Sequence, residues 1–231
     1  MERCIRPEWL DELPPEDPLA VRSRRDLLRV NAWMGNCGLM ARALHSTCDG
    51  PVARRLVELG AGDGKLLLRV ARRLSADWQG TSAVLLDRWN VVSPETHHAF
   101  AVLGWRTAAL EADALAWLRQ SAAPAWDTIV ANLFLHHFPS AQLAELLCAA
   151  ASLARVFIAI EPRRSARGIF FSRLLGLIGC NRVTRHDAPV SVCAGFTGTE
   201  LSQLWPTGPG WSLRERPAGW FSHLFIARRV D

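Results

Sequence analysis

The chain has 231 residues, 49% of them hydrophobic and 21% charged, a balance that suits one soluble α/β domain with a full core. The formal net charge of +5 is carried almost wholly by arginine, since Lys65 is the only lysine. These arginines are scattered in small groups, such as Arg22, Arg24 and Arg25 or Arg163, Arg164 and Arg167, which argues against nucleic acid as a partner, and no apolar run reaches the ~18 residues of a membrane span.

Six cysteines (Cys4, Cys37, Cys48, Cys148, Cys180, Cys193) show neither a Cys-x-x-Cys pair nor a metal-ligand spacing. With no signal-peptide pattern after Met1, they are expected to be reduced thiols of a cytoplasmic protein without a structural metal. Residues 1–17 are acidic and proline-rich and are expected to form an irregular arm. Asp17-Pro18 is a helix start, with a capping carboxylate before a first-turn proline. That helix runs through Val30, is interrupted over 31–36, and a second helical piece continues to about His45. Trp33, Met34 and Asn36 are either core or part of a lid that touches cofactor or substrate.

The stretch 53–60 is an apolar run that reads as a buried strand, and 64–75 carries Leu66, Leu67, Val70 and Leu74 at helical spacing. Between them lies Glu58-Leu-Gly60-Ala61-Gly62-Asp63-Gly64. A strand turning sharply into a helix brings bare N–H groups and a positive helix end to one point, and glycine admits a ligand close to that backbone. The dinucleotide fingerprint would be Gly-x-Gly-x-x-Gly; here the third glycine comes one residue early and a carboxylate precedes the turn, which favours a ligand with an amine and a sulfonium over a pyrophosphate.

A second strand, 82–87, ends in Asp87, at the interval expected for a ribose-binding acid, and Arg88 and Trp89 follow where either could lie against a base. Ser93-Pro94-Glu95 opens a helix through Leu103, and 105–112 is a third strand. Asp113 is either a helix cap or an adenine contact, and the two roles are compatible. The fourth strand, 126–134, leads into Leu135-His136-His137-Phe138-Pro139 and a helix from Ser140 to about Leu153. A fifth strand, 155–162, ends in Glu161-Pro162, with Glu161 free to pair with Arg163 or Arg164. Residues 163–181 are expected to be a helix on the sheet or an apolar wall over the substrate, 182–196 a loop, and 197–205 a short helix. Two closing strands, 211–216 and 222–229, form a hairpin. Alternating strands and helices argue a parallel sheet of βαβ units.

Glu-x-Gly-x-Gly-x-Gly, followed in order by Asp87, Asp113, the Asn132 strand end and the C-terminal hairpin, resembles the class I S-adenosylmethionine-dependent methyltransferases over most of the chain. The resemblance implies a three-layer αβα, Rossmann-like, doubly wound and mostly parallel seven-stranded sheet with an antiparallel last strand. Residues 1–50 would be an arm and helical lid on a methyltransferase domain spanning 51–231. It implies S-adenosylmethionine as cofactor, held by Glu58, Gly60, Ala61, Gly62, Asp63 and Gly64 at the methionine, Asp87 at the ribose, and Asp113 with Ala114 at the adenine. Arg88, Trp89, Asn132, Leu133 and Trp33 are further cofactor candidates.

Asn132-Leu133-Phe134-Leu135 lacks the Asn-Pro-Pro-Tyr-like motif of nucleic-acid amino methyltransferases, and with His136-His137-Phe138 it looks like the subgroup acting on small molecules. The expected reaction is O-methylation of a phenolic or other hydroxyl of a secondary-metabolite-like or quinone-like acceptor. A histidine would serve as base, with His136, His137 and His186 the candidates. Met34, Asn36, His137, Arg164, Phe170 and Phe171 are the candidate substrate contacts. C- or N-methylation and a non-catalytic binding protein on the same scaffold are the alternatives. A nicotinamide oxidoreductase fits less well, because the chain has no Tyr for a Tyr/Lys pair. A small-molecule acceptor is the expected partner, and a homodimer is compatible with the sequence.

Overall fold

The computed structural model describes residues 1–47, 54–74, 76–121, 126–208 and 210–230. The expected lid–domain boundary near residue 50 and Cys48 lie outside them; the other five cysteines are free thiols.

A seven-stranded sheet has the order β3-β2-β1-β4-β5-β7-β6. Its strands are β1 Arg55–Leu59, β2 Ser82–Asp87, β3 Arg106–Glu111, β4 Trp126–Asn132, β5 Ala154–Pro162, β6 Trp211–Ala218 and β7 Ser222–Arg229. The first five pair in parallel and β7 runs antiparallel to both its neighbours, as expected of the resemblance. β1, β4 and β5 read as near-continuous apolar runs because both faces of the sheet are covered. Alternate residues therefore enter two separate cores. On one face Leu56, Val130, Ile158 and Ile226 pack with α3 Asn36–Thr47, α4 Lys65–Ala71 and α5 Pro94–Val102. On the other, Val57, Ile129, Phe157 and Phe225 pack with α6 Ala114–Gln120, α7 Ser140–Leu153 and α10 Glu200–Leu204. Strand order reverses between β1 and β4, which opens a crevice at their carboxyl ends.

The remaining helices roof that crevice: α1 Trp9–Glu12, α2 Pro18–Met34, α8 Ala166–Arg173 and α9 Arg182–Ala194. α2 starts as expected, with Asp17 Oδ1 accepting the Leu19 N–H at 2.7 Å and Pro18 in the first turn, and it ends at Gly35 in the left-handed region. None of the helices is long and apolar enough to cross a membrane among the described residues.

Three expectations are corrected here. The arm is not merely irregular: it contains α1 and lies across the crevice. Arg3 donates to the Ala194 carbonyl at 2.8 Å, and the Trp9 and Leu10 N–H groups donate to Asp187 at 2.9 and 3.0 Å. Residues 182–196 are mostly helix rather than loop. Asn181 Oδ1 caps α9 through the Thr184 N–H at 2.9 Å, and the helix runs through Pro189. A proline inside a helix removes one hydrogen bond, and α9 offsets the loss by burying Val183, Thr184, Asp187 and Ala194 under the roof. Residues 163–181 are not one helix: α8 stops at Arg173 and a 3-10 stretch, Leu174–Ile178, follows.

Candidate active site

The crevice holds a cavity of about 490 Å³ whose walls come from the ends of β1, β2 and β4 and from the roof. One end is built by the glycine turn. Gly60, Gly62 and Gly64 all have positive φ (68°, 54° and 69°), so each glycine is there for its backbone. They face different things. A Cβ on Gly60 would stand 2.3 Å from the Phe134 ring, and one on Gly64 2.9 Å from Leu85. A Cβ on Gly62 would meet nothing within 4 Å, so the turn is open to the cavity there and Gly64 lies behind it.

The Gly62 N–H donates to Asp87 Oδ2 at 2.8 Å, and the Trp89 N–H to Oδ1 at 3.2 Å, which fixes the Asp87 carboxylate on the cavity wall. Asp113 is the helix cap: its Oδ1 accepts the Ala116 N–H of α6 at 2.8 Å, and the residue also lines the cavity with Ala114. Glu58 also lines the cavity but is only 3% exposed, and its Oε2 has no hydrogen-bond partner. Burial, with the charges of Asp63 and Asp87 adding to it, pushes its carboxyl well above the ordinary carboxylate range. A buried acceptor atom without a donor is costly. The turn end of the cavity thus presents a buried carboxyl oxygen with room for a partner.

Arg24 of α2 reaches the same end, within the fields of Asp63 and Asp87, and donates to the Pro15 carbonyl. Ala61, Asp63, Arg88, Trp89, Leu133, Trp33 and Met34 line the cavity as well. Leu133, at the exit of β4, holds φ at 52°, the only positive φ among described non-glycine residues, a strain of about 1–2 kcal/mol.

The turn after β4 carries a histidine–carboxylate cluster, of which His136, His137, Glu8 and Asp11 line the cavity. Glu161, at the end of β5 and fully buried, pairs with neither Arg163 nor Arg164. Its carboxylate instead accepts the N–H groups of Phe134, Leu135 and His136 at 3.0, 2.8 and 3.3 Å and meets His136 Nδ1 at 2.8 Å. His136 Nε2 lies 3.3 Å from Glu8 Oε1. Burial opposes charge on His136, but the hydrogen bonds and charges of Glu161 and Glu8 outweigh it and raise its pKa to about 9. His136 is therefore already the conjugate acid near neutral pH, with both nitrogens engaged, which corrects its expected part as base. His137 is less buried; its Nδ1 lies 3.1 Å from Asp11 Oδ2, and Asp11 also accepts from Arg88 at 3.0 Å.

Besides Gly64, four sequence candidates fall outside the cavity. His186 stacks on Trp9, with centroids 3.8 Å apart, and bonds to Asp187, so it anchors the arm rather than meeting substrate. Arg164 is buried and tied to Glu200 and the Met1 carbonyl. Phe170 is 60% exposed and turned outward, whereas Phe171 does line the cavity. Asn36 is fully buried behind the wall. Its Nδ2 donates to Asn31 Oδ1 and Asn132 Oδ1, both at 3.0 Å, and its Oδ1 accepts from Ser222 at 2.7 Å. Glu8, Asp11, Arg24 and Asn31, which do line the cavity, were not legible as site residues. They sit more than 100 positions from His136 or Asn132, and no local pattern records such a meeting.

No protein-family model matches the chain, and no curated protein matches it in sequence. Solved structures do. The plantazolicin methyltransferase in complex with S-adenosylhomocysteine superposes with a TM-score of 0.62 at 12% identity, over 96% of this chain and 93% of that one. An O-methyltransferase family protein from Burkholderia thailandensis gives 0.58 at 20% identity over 93% of this chain, and the mitomycin 7-O-methyltransferase 0.58 at 19% over 96%. The fold is that of the class I S-adenosylmethionine-dependent methyltransferases. This chain spans only 62% and 60% of the last two proteins, so the fold is what they share. Within the methyltransferase fold the residues present suit the cofactor. The unpartnered Glu58 oxygen matches an ammonium, the open Gly62 backbone admits the ligand, and Asp87 and Asp113 stand in sequence along the wall.

Proposed function

We propose that the protein transfers the methyl group of S-adenosylmethionine to a hydroxyl oxygen of a small, partly apolar acceptor. The observation that carries this reading is one cavity lined both by the unpartnered carboxyl of Glu58 with the glycine turn and by the His136–His137 cluster. The cofactor supplies an electrophilic methyl on a sulfonium. Glu58 receives its ammonium, Arg24 its carboxylate, Asp87 the ribose diol and Asp113 the adenine edge. Asn132, Leu133, Trp33 and the Gly62 turn hold the charged ligand rigidly, and positioning of this kind supplies much of the rate of an in-line displacement.

The acceptor lies between the sulfonium and the histidines, with Met34 and Phe171 as its apolar walls. Its hydroxyl must lose a proton. Asp11 holds His137 at Nδ1, which leaves Nε2 to take that proton, while the charged His136 keeps Glu8 and the arm in place over the site.

Calorimetry with S-adenosylhomocysteine tests the cofactor half. The wild-type chain should bind it, while Asp87→Ala and Gly62→Val should each weaken binding by about tenfold or more, the scale of a lost charged hydrogen bond. Absence of heat and of any thermal shift with either cofactor form overturns the reading. Labelled S-adenosylmethionine with a panel of phenols, quinols and amines then tests the acceptor. Transfer to amines alone would replace O- by N-methylation.

A further inference from the structure

The cluster at the acceptor end has the parts of a metal site. A carboxylate oxygen of Glu8, a ring nitrogen of His136 and one of His137 lie within 4.8 Å of one another. Two histidines and one carboxylate form the donor set of catalytic zinc and non-haem iron sites, whereas magnesium and calcium take oxygen ligands. Donor identity alone would be weak, but the second layer is also present. Glu161 Oε2 sits 2.8 Å from His136 Nδ1, and Asp11 Oδ2 sits 3.1 Å from His137 Nδ1. Each ring is thus held at Nδ1 by its own carboxylate, and the Nε2 of His136 faces Glu8, so a cation there would displace the proton held between them. Carboxylate–histidine–metal arrangements orient and strengthen ligands in this way. Glu8, Asp11 and Glu161 bring three carboxylates to the cluster, with Arg88 on Asp11 and Arg3 within the field of Glu161 as the nearby arginines.

We propose that Glu8, His136 and His137 bind one divalent cation of the zinc class, with Asp11 and Glu161 orienting the two imidazoles and the cavity side left open for an acceptor oxygen. The placement of the acceptor rests on the function proposed above; binding of the cation does not. With the cation bound, His137 would no longer serve as base; an acceptor hydroxyl at the open position would be acidified by the cation's charge and give its proton to solvent. The arm, which supplies Glu8, becomes part of the coordination shell.

Co²⁺ is the probe. Tag-free, full-length protein stripped with a chelator should bind one equivalent of Co²⁺ with the visible absorption of a low-symmetry site. Zn²⁺ should displace it, and millimolar Mg²⁺ should not. Glu8→Gln and His137→Asn should abolish the band. Asp11→Asn and Glu161→Gln should retain it with affinity lowered about 10–100-fold, as for orienting carboxylates elsewhere. Binding of S-adenosylhomocysteine, measured in the same samples, reports that each variant is folded and tests the cofactor reading separately. No Co²⁺ band in the wild-type chain overturns the proposal, and so does a band of equal strength in Glu8→Gln and His137→Asn, which would place the ion elsewhere, for instance on a cysteine.

Discussion

On the proposed function, Glu58 is the residue on which cofactor recognition and stability pull in opposite directions. Its carboxyl is raised by burial and by the charges of Asp63 and Asp87, so the folded chain holds its proton more tightly than the unfolded chain does. The stability this proton contributes is complete below the unfolded value near 4.5 and is lost as pH rises towards the raised value. An ammonium ligand needs the ionised form. Binding of S-adenosylhomocysteine should therefore release a proton, and affinity should rise with pH until the free protein's Glu58 is itself ionised. Calorimetry in buffers of different ionisation enthalpy reads that proton directly. In Glu58→Gln the proton release should vanish and affinity should fall by about 2 kcal/mol, as when a buried charge pair loses one member. The ligand-free variant should nevertheless be more stable at pH 7 by about 1 kcal/mol, because an uncompensated buried acid is gone. An unchanged proton count in Glu58→Gln would remove Glu58 from the cofactor site.

Among the elements, the arm is where structure and sequence diverge most. Its three prolines and six acidic side chains read as a solvated tail, because composition reports local preference and the arm's order comes from distant partners. Asp187 alone binds the Trp9 and Leu10 N–H groups and His186. Asp187→Ala should free the arm while leaving the sheet intact: limited proteolysis should cut before residue 18 at an increased rate, while the global unfolding transition moves by about 1–3 kcal/mol at most, the cost of lost partly buried hydrogen bonds. Retained protection would show that Arg3 and Glu8 suffice. α9 was illegible for a related reason. Pro189 punctuates the local pattern, and only the α2 and α8 surfaces on either side make a helix the better solution. By contrast β1, β2, β4, β5, α4, α5 and α7 were legible, since buried parallel strands are continuous apolar runs and their helices carry caps such as Ser93 in sequence.

At the scale of the molecule, a small polar node joins the parts that periodicity treats separately. Asn36 links α2 through Asn31, β4 through Asn132 and β7 through Ser222, and Asn132 returns a 3.0 Å bond to Asn31. Two members of this node, Asn31 and Asn132, face the cavity, so the wall inherits its rigidity from a tie that reaches the last strand of the sheet. Asn36→Ala should destabilise the chain by about 2–4 kcal/mol in urea unfolding, since it strands the Ser222 hydroxyl and leaves Asn31 and Asn132 short of partners in a buried site. A loss below 1 kcal/mol would mean that water replaces the side chain. The strand order and the crevice were legible from the glycine turn and the βαβ alternation. The acceptor end was legible only as a pair of histidines, because its carboxylates arrive from the arm and from β5.

The close approach of Gly60 to the Phe134 ring has a mechanical consequence. The glycine turn and the turn that presents the histidines touch through one aromatic ring, with no room between them for even a methyl group. That ring acts as a spacer, setting the gap across which the methyl group must travel. A smaller residue at 134 would slacken the gap and a larger one at 60 would force it wider, so on the proposed function either change should slow transfer.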